Sequence, residues 1–175
     1  MHVITRIIIS SCCNQMDNLI LVKHASGAPG LRLIGMGPNF LPQKGLMQLQ
    51  KLFNENSFWA KKRSKKTIKK MLSQSAVITS IWQGKKLIAF GRATTDATFR
   101  STLWDVVVDK NYQSLGIGKK IVDSLLQNQL VSKTEKTYVM TTHFENFYEN
   151  IGFEKEHNQT LMIFKKPKSQ PMDQT

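Results

Sequence analysis

A chain of 175 residues, 41% apolar and 21% charged, is composed like one soluble globular domain with room for a sizeable core. Its apolar runs fall far short of the roughly 20 residues a membrane-spanning helix needs, and its two cysteines, Cys12 and Cys13, are adjacent, which suits neither a structural disulfide nor a zinc site. The outstanding deviation is a formal net charge of +13, which asks for an anionic partner: nucleic acid, an acidic peptide, an anionic membrane surface or an anionic coenzyme.

Residues 1–30 carry Val3-Ile4, Ile7-Ile8-Ile9 and the run from Leu19 to Val22, broken by polar residues and with Asp17 as the one acid. The apolar pieces are too short for a secretory core, and the stretch reads as a variable, disordered extension. The domain proper is expected over 31–165. It opens with a strand from Leu31 to Ile34 and, after Gly37-Pro38 and Pro42, a helix from Gly45 to Phe53 with Leu46, Leu49, Leu52 and Phe53 at helical spacing. Ser57 and Ser64 are candidate N-caps, the second leading a helix that turns Ile68, Met71 and Leu72 inward.

Seven of the ten residues from Lys61 to Lys70 are basic; on a helix Lys61, Lys65 and Lys69 line one face, with Lys62, Lys66 and Lys70 beside it. The run reads as a solvated helix face or as a polyanion-binding patch. No zinc finger, RNP signature or aromatic-interleaved basic strand accompanies it.

Farther on, Ala76 to Trp82 and Lys86 to Thr94 flank Gln83-Gly84 as a β-hairpin. Thr102 to Asp109 reads as a strand, Gly116 to Leu130 as a helix with Ile121, Val122, Leu125 and Leu126 on its inner face, and Tyr138 to Thr142 as a short strand. Phe144 to Asn150 reads as a short helix, Thr160 to Phe164 as a last strand, and 166–175 as a polar tail. Strands in series followed by strand-helix-strand-helix-strand give an α/β, mixed α+β architecture: one mixed sheet flanked by helices.

The strand Trp104-Asp105-Val106-Val107-Val108-Asp109 delivers Gln113-Ser114-Leu115-Gly116-Ile117-Gly118-Lys119 to a helix start. Two glycines one residue apart permit a tight turn, and free N–H groups at the positive end of the helix dipole attract a pyrophosphate. A Rossmann fingerprint wants Gly or Ala where Ile121 stands, and a Walker loop wants Gly-Lys-Ser/Thr where the chain has Gly118-Lys119-Lys120. The surviving pattern is Gln/Arg-x-x-Gly-x-Gly/Ala between a strand and a helix.

That pattern resembles the GNAT superfamily of acetyl-CoA-dependent N-acetyltransferases. Phe58-Trp59-Ala60, Ile88, Gly91-Arg92-Ala93-Thr94, Trp104-Asp105-Val106-Val107, Tyr112-Gln113, and Met140-Thr141-Thr142-His143 through Phe147-Tyr148-Glu149-Asn150-Ile151-Gly152-Phe153 follow in the order seen in cyanobacterial and red-algal plastid-encoded members, relatives of the plastid serotonin N-acetyltransferases. The resemblance covers roughly residues 31–165 and implies a plastid location. It also implies a sheet splayed into a V between the strand before the loop and the strand after its helix. There, backbone groups of Val106, Val107 and Val108 would hold the pantetheine arm and polarise the thioester, while amides around Gln113, Ser114, Leu115, Gly116, Ile117, Gly118 and Lys119 bind the pyrophosphate. Tyr148 stands at the position of the family tyrosine that reaches the coenzyme A sulfur, where a phenol can protonate a departing thiolate.

An attacking amine must shed a proton. Asp105 is one candidate acceptor, with pairing to Arg92 or Arg100 as its alternative; regular alternation places it on the face of Val107 and Asp109 unless a bulge intervenes. His143 is the other. The reading is direct acetyl transfer from acetyl-CoA to a primary amine (a protein lysine or N-terminus, or an arylalkylamine) with neither metal nor covalent intermediate. Its competitor is a basic polyanion- or nucleic-acid-binding module on the same fold.

Overall fold

The computed structural model describes residues 5–9, 18–24 and 42–165. The strand expected at Leu31 to Ile34 and the tail at 166–175 lie outside the described residues. The chain divides into two compact units, Met1–Met140 and Thr141–Thr175.

The first unit is built on a sheet whose strands lie side by side in chain order: β1 Thr5–Ile9, β2 Leu19–His24, β3 Val77–Gln83, β4 Lys86–Thr95, β5 Arg100–Val108 and β6 Lys136–Val139. All neighbours are antiparallel except β5 and β6, which run parallel. Two of these strands fall within residues 1–30, which the sequence presented as an extension. The short apolar runs that failed as a leader are long enough for strands of five or six residues. β2 pairs with β3 from Leu19↔Gln83 to His24↔Ile78 and buries Leu19, Leu21 and Val22.

Helices cover both faces. α1 (Pro42–Asn56) and α2 (Lys65–Ser73) press Leu49, Leu52, Phe53, Ile68 and Leu72 onto Val22, Ile78, Trp82, Leu87, Phe90 and Val107. Phe53 meets Phe90 edge-on at 5.7 Å. On the opposite face α3 (Ile117–Leu126) lies so close to β4 that a methyl group at Gly91 would stand 2.5 Å from Ile121 Cγ2 and 3.1 Å from Leu125 Cδ1. Only glycine admits that approach.

Ser64 caps α2 as expected, its hydroxyl accepting from the Thr67 N–H. Ser57 starts no helix: its hydroxyl donates to the Phe53 carbonyl and closes α1 instead. The helix expected to reach Leu130 stops at Leu126, because the Asn128 side chain caps a separate turn, α4 (Gln129–Ser132).

In the second unit α5 (Glu145–Glu149) carries Phe147 and Tyr148, whose rings meet edge-on at 4.9 Å, and Tyr148 meets Phe153 edge-on at 5.5 Å. Gly152, at φ +105°, turns the chain after the helix. Residues 160–164 form no strand, and Leu161, Met162, Ile163 and Phe164 are exposed. Apolar content alone suggested a strand there, but a strand exists only with a hydrogen-bonding neighbour, and none pairs with this segment among the described residues. No described helix is long and apolar enough to cross a membrane.

Candidate active site

β5 is where the sheet opens. Its pairing with β6 runs from Arg100↔Lys136 to Leu103↔Val139 and ends there, so the main chain from Trp104 to Val108 has no β6 partner. On its other side β5 pairs Phe90↔Val107 and Arg92↔Trp104, leaving two residues, Asp105 and Val106, opposite Gly91. This β-bulge is set by Asp105 at φ +51°, a backbone state that aspartate tolerates better than most residues. The alternation is thereby shifted by one: Asp105 faces the same side as Trp104 and Arg92, correcting the regular pattern that set it apart from Trp104. Val106 faces α3 instead, its Cγ2 3.6 Å from where a Gly91 methyl would sit.

The loop after β5 is anchored by side chains. Asp109 donates its N–H to the Ile88 carbonyl, and its carboxylate accepts from Lys86 Nζ at 2.8 Å and from the Asn111 N–H. The Lys110 N–H reaches Asn56 Oδ1 at the end of α1, and Tyr112 donates to Gln83. Burial pushes the Asp109 carboxyl up, but the bonds from Lys86 and Asn111 and the charges of Lys86 and Lys110 outweigh it and hold the group below its ordinary 3.8. The bond to Asp109 in turn raises the Lys86 ammonium above 10.5, against partial desolvation.

The amides beyond that anchor are unspent. From Gln113 to Lys119 none of the main-chain N–H groups meets a protein acceptor among the described residues; the ladder resumes with Lys120 N–H to the Gly116 carbonyl. Ser114 and Gly116 are both left-handed, at φ +62° and +73°, and Gly116 caps α3 with no side-chain bond. Gln113, Ser114, Gly116 and Lys119 are exposed, while Ile117 is buried and pins the helix start to the core. Consecutive free donors at the positive end of a helix form a cradle for a diphosphate. The loop therefore fits the anionic end of acetyl-CoA.

The Asp105 side chain is 5% exposed and held by two arginines, Arg92 Nε at 2.7 Å from Oδ2 and Arg63 Nη1 at 3.0 Å from Oδ1. Pairing with Arg92 is thus the alternative the structure displays, whereas Arg100 bonds Glu135. Arg63 had no sequence signal beyond being the one guanidinium in a run of lysines, a residue type suited to bridging a carboxylate and an aromatic face. Its guanidinium sits 5.4 Å from the Phe53 ring centre, and its carbonyl accepts from Gln50 Nε2 at 2.9 Å. Arg92 in turn stacks on Trp104 at 5.7 Å. Both arginines line an open cleft of about 550 Å³ with Lys61, Lys62, Ser64, Thr67 and Met71.

The remaining predicted residues belong to the second unit. Tyr148 is 8% exposed; its hydroxyl has no protein partner among the described residues, and burial pushes its pKa up to about 12. His143 is exposed just before α5.

Comparison with known proteins places the chain in a family. The acetyltransferase (GNAT) domain family matches residues 74–155. An uncharacterized N-acetyltransferase, ycf52, of Gracilaria tenuistipitata var. liui is 32% identical over 143 residues, 78% of this chain and 76% of that protein. The ycf52 protein of Pyropia yezoensis is 35% identical over 116 residues, 63% of this chain and 66% of its own length. GCN5-related N-acetyltransferase 2, chloroplastic, of Arabidopsis thaliana is 38% identical over 87 residues, 49% of this chain but 34% of that protein. The chain thus spans between a third and three quarters of these relatives. Among solved structures, a GNAT-family acetyltransferase of Streptococcus pneumoniae shares the fold with a TM-score of 0.63 at 19% identity, covering 86% of this chain and 99% of that one. The chain belongs to the GNAT family of N-acetyltransferases.

Proposed function

We infer that the protein moves the acetyl group of acetyl-CoA directly to a primary amine. The observation that carries this is the run of unpartnered amides from Gln113 to Lys119 beside the unpaired stretch of β5. In this reading those amides and the α3 dipole hold the diphosphate, and the backbone of Val106 to Val108 holds the pantetheine and polarises the thioester carbonyl, where each well-aimed donor contributes about 3 kcal/mol. The amine nitrogen attacks the carbonyl carbon, the C–S bond breaks, the amine proton passes to water, and the departing thiolate takes a hydrogen bond or proton from Tyr148. Asp105, committed to two guanidiniums, holds Arg63 and Arg92 in place. The plastid is the proposed location, supported by the chloroplastic name of the Arabidopsis relative.

A thermal-shift titration joined to a coenzyme A release assay tests this reading. Saturation at 100 times the Kd adds about 2.7 kcal/mol, or roughly 5–10 °C in Tm for a chain of this size. Gly116→Glu should abolish the shift by placing a carboxylate among the phosphate donors, whereas Gly116→Asn, which tolerates a left-handed backbone, should retain it. An unchanged wild-type Tm at millimolar acetyl-CoA would overturn the proposal.

A further inference from the structure

The cleft beside the bulge carries more positive charge than its own fold uses. Asp105 answers Arg63 and Arg92, but neither Lys61 nor Lys62 has a carboxylate partner among the described residues. From Asn56 to Thr95 the chain contains no aspartate or glutamate at all. The surface continues along α2: Thr67 and Met71 line the cleft, exposed Lys66 and Lys70 flank that stripe, and Ile68 and Leu72 are buried. Just ahead of Lys61 in the chain, across the buried Ala60, Phe58 and Trp59 are 62% and 44% exposed and meet edge-on at 5.0 Å. Lys62 is exposed on a left-handed backbone, its N–H bonded to Asn54 Oδ1 at 2.9 Å.

A cationic wall repels a bare ammonium, so an amine enters only when anionic groups accompany it. Once there, the like charges disfavour the protonated amine and raise the fraction able to attack, which suits a site whose one nearby carboxylate is already bound by two arginines. We propose that the acceptor is an amine on an acidic peptide segment, its carboxylates lying on Lys61, Lys62 and the adjoining face of α2. The cationic face is longer than one small anion requires, and the exposed aromatic pair offers apolar contact to neighbouring side chains. A nucleic acid would satisfy the charge but brings no alkyl amine to β5. The proposal rests on the acetyl-transfer reading.

The test uses three peptides of equal length, each with one free lysine amine, flanked by Asp/Glu, by Ser/Gly or by Lys/Arg. Coenzyme A release and fluorescence anisotropy are both read. The acidic peptide should exceed the neutral one by about tenfold in kcat/KM at low salt, with the gain shrinking as ionic strength reaches about 0.3 M. Lys61→Glu with Lys62→Glu should erase or invert that order, and the milder Lys61→Ala with Lys62→Ala should reduce it. The charge-matched pair Lys65→Glu with Lys69→Glu, on the other flank of α2, should change it far less.

Equal turnover of the three peptides overturns the proposal, as does a ratio insensitive to the Lys61 and Lys62 variants, a small anionic amine that outcompetes the acidic peptide, or a single-stranded RNA oligomer that binds more tightly than any peptide. Should no acceptor turn over and acetyl-CoA leave Tm unchanged, the acetyl-transfer reading has failed. Anisotropy then decides for the surface: selective acidic-peptide binding lost on changing Lys61 and Lys62 upholds it, and equal binding of all three removes it.

Discussion

Arg92 and Asp105 are joined across the β5 bulge by an ion pair of 2.7 Å between Nε and Oδ2, with the guanidinium stacked on Trp104 and the carboxylate 5% exposed. The pair explains how the chain keeps a positive-φ residue inside a strand. The left-handed backbone throws the carboxylate onto the arginine face, and the ion pair offsets the cost of about 1 kcal/mol or more of holding a non-glycine residue there.

Asp105→Asn should therefore fold, since asparagine tolerates the same φ, with a stability loss of about 1–2 kcal/mol from the weaker bonds to Arg63 and Arg92. If Asp105 only positions those arginines, kcat/KM falls by less than roughly tenfold and the pH profile keeps its shape; loss of an acidic limb and a fall of about 100-fold or more would restore Asp105 as the general base. Asp105→Val should be worse than Asp105→Asn in urea denaturation, because a β-branched residue resists positive φ.

Gly91→Ala should cost about 1–3 kcal/mol by overpacking against Ile121 and Leu125. The contact couples the sheet to the helix that carries the loop, so the variant should also weaken acetyl-CoA binding. Combined with Ile121→Ala, which removes the methyl group 2.5 Å away, the destabilisation should fall below the sum of the single effects in urea melts. Strict additivity would show that α3 moves away from β4 without penalty.

These two variants also mark the limit of what the chain reveals as text. The loop from Gln113 to Lys119, the hairpin around Gly84 and the Ser64 cap are local features, each written in a few adjacent residues with a defined backbone need, and all are legible. The bulge is not, because it depends on Arg92 and Arg63 reaching Asp105 from 13 and 42 positions away. β1 and β2 escaped for a related reason: five- and six-residue apolar runs acquire meaning only beside β3. Residues 160–164 show the converse, strand-like composition without a strand.

With Tyr148 held at a pKa of about 12 by burial, its phenol stays protonated through the whole working range. It is a weak acid for a thiolate of about 8.5, so in the proposed transfer it would supply a hydrogen bond more than a full proton, and Tyr148→Phe should lower kcat by about 10- to 100-fold with little change in the KM for acetyl-CoA. The rate of the wild type should rise with pH as the acceptor amine deprotonates and show no fall from Tyr148 below about pH 10. His143→Ala should leave that profile intact. Loss of the acidic limb in this variant would instead make His143 the proton acceptor.

Asp109 and Lys86 set the pH dependence of stability at the root of the loop. The Asp109 carboxyl lies below its ordinary 3.8 in the folded chain, so its stabilisation is present above that value and is lost as pH falls through the folded pKa; the raised Lys86 contributes fully below 10.5 and is lost only as pH climbs past its folded value. Between those limits the pair should contribute a nearly constant amount, about 1–2 kcal/mol, the lower end favoured because the Lys86 side chain remains 43% exposed to screening. Asp109→Asn should show this deficit at pH 7 and converge on the wild type once the pH has fallen below the lowered pKa of the folded Asp109 carboxyl. Lys86→Met should be the more damaging change, since it leaves a buried carboxylate with the Asn111 N–H and the Lys110 charge as its remaining support. Burial, the largest influence on Asp109, then prevails, and NMR titration of the variant should find its carboxyl displaced upward. A carboxyl that stays low without Lys86 would mean that the loop's main-chain donors, and not the lysine, hold the charge.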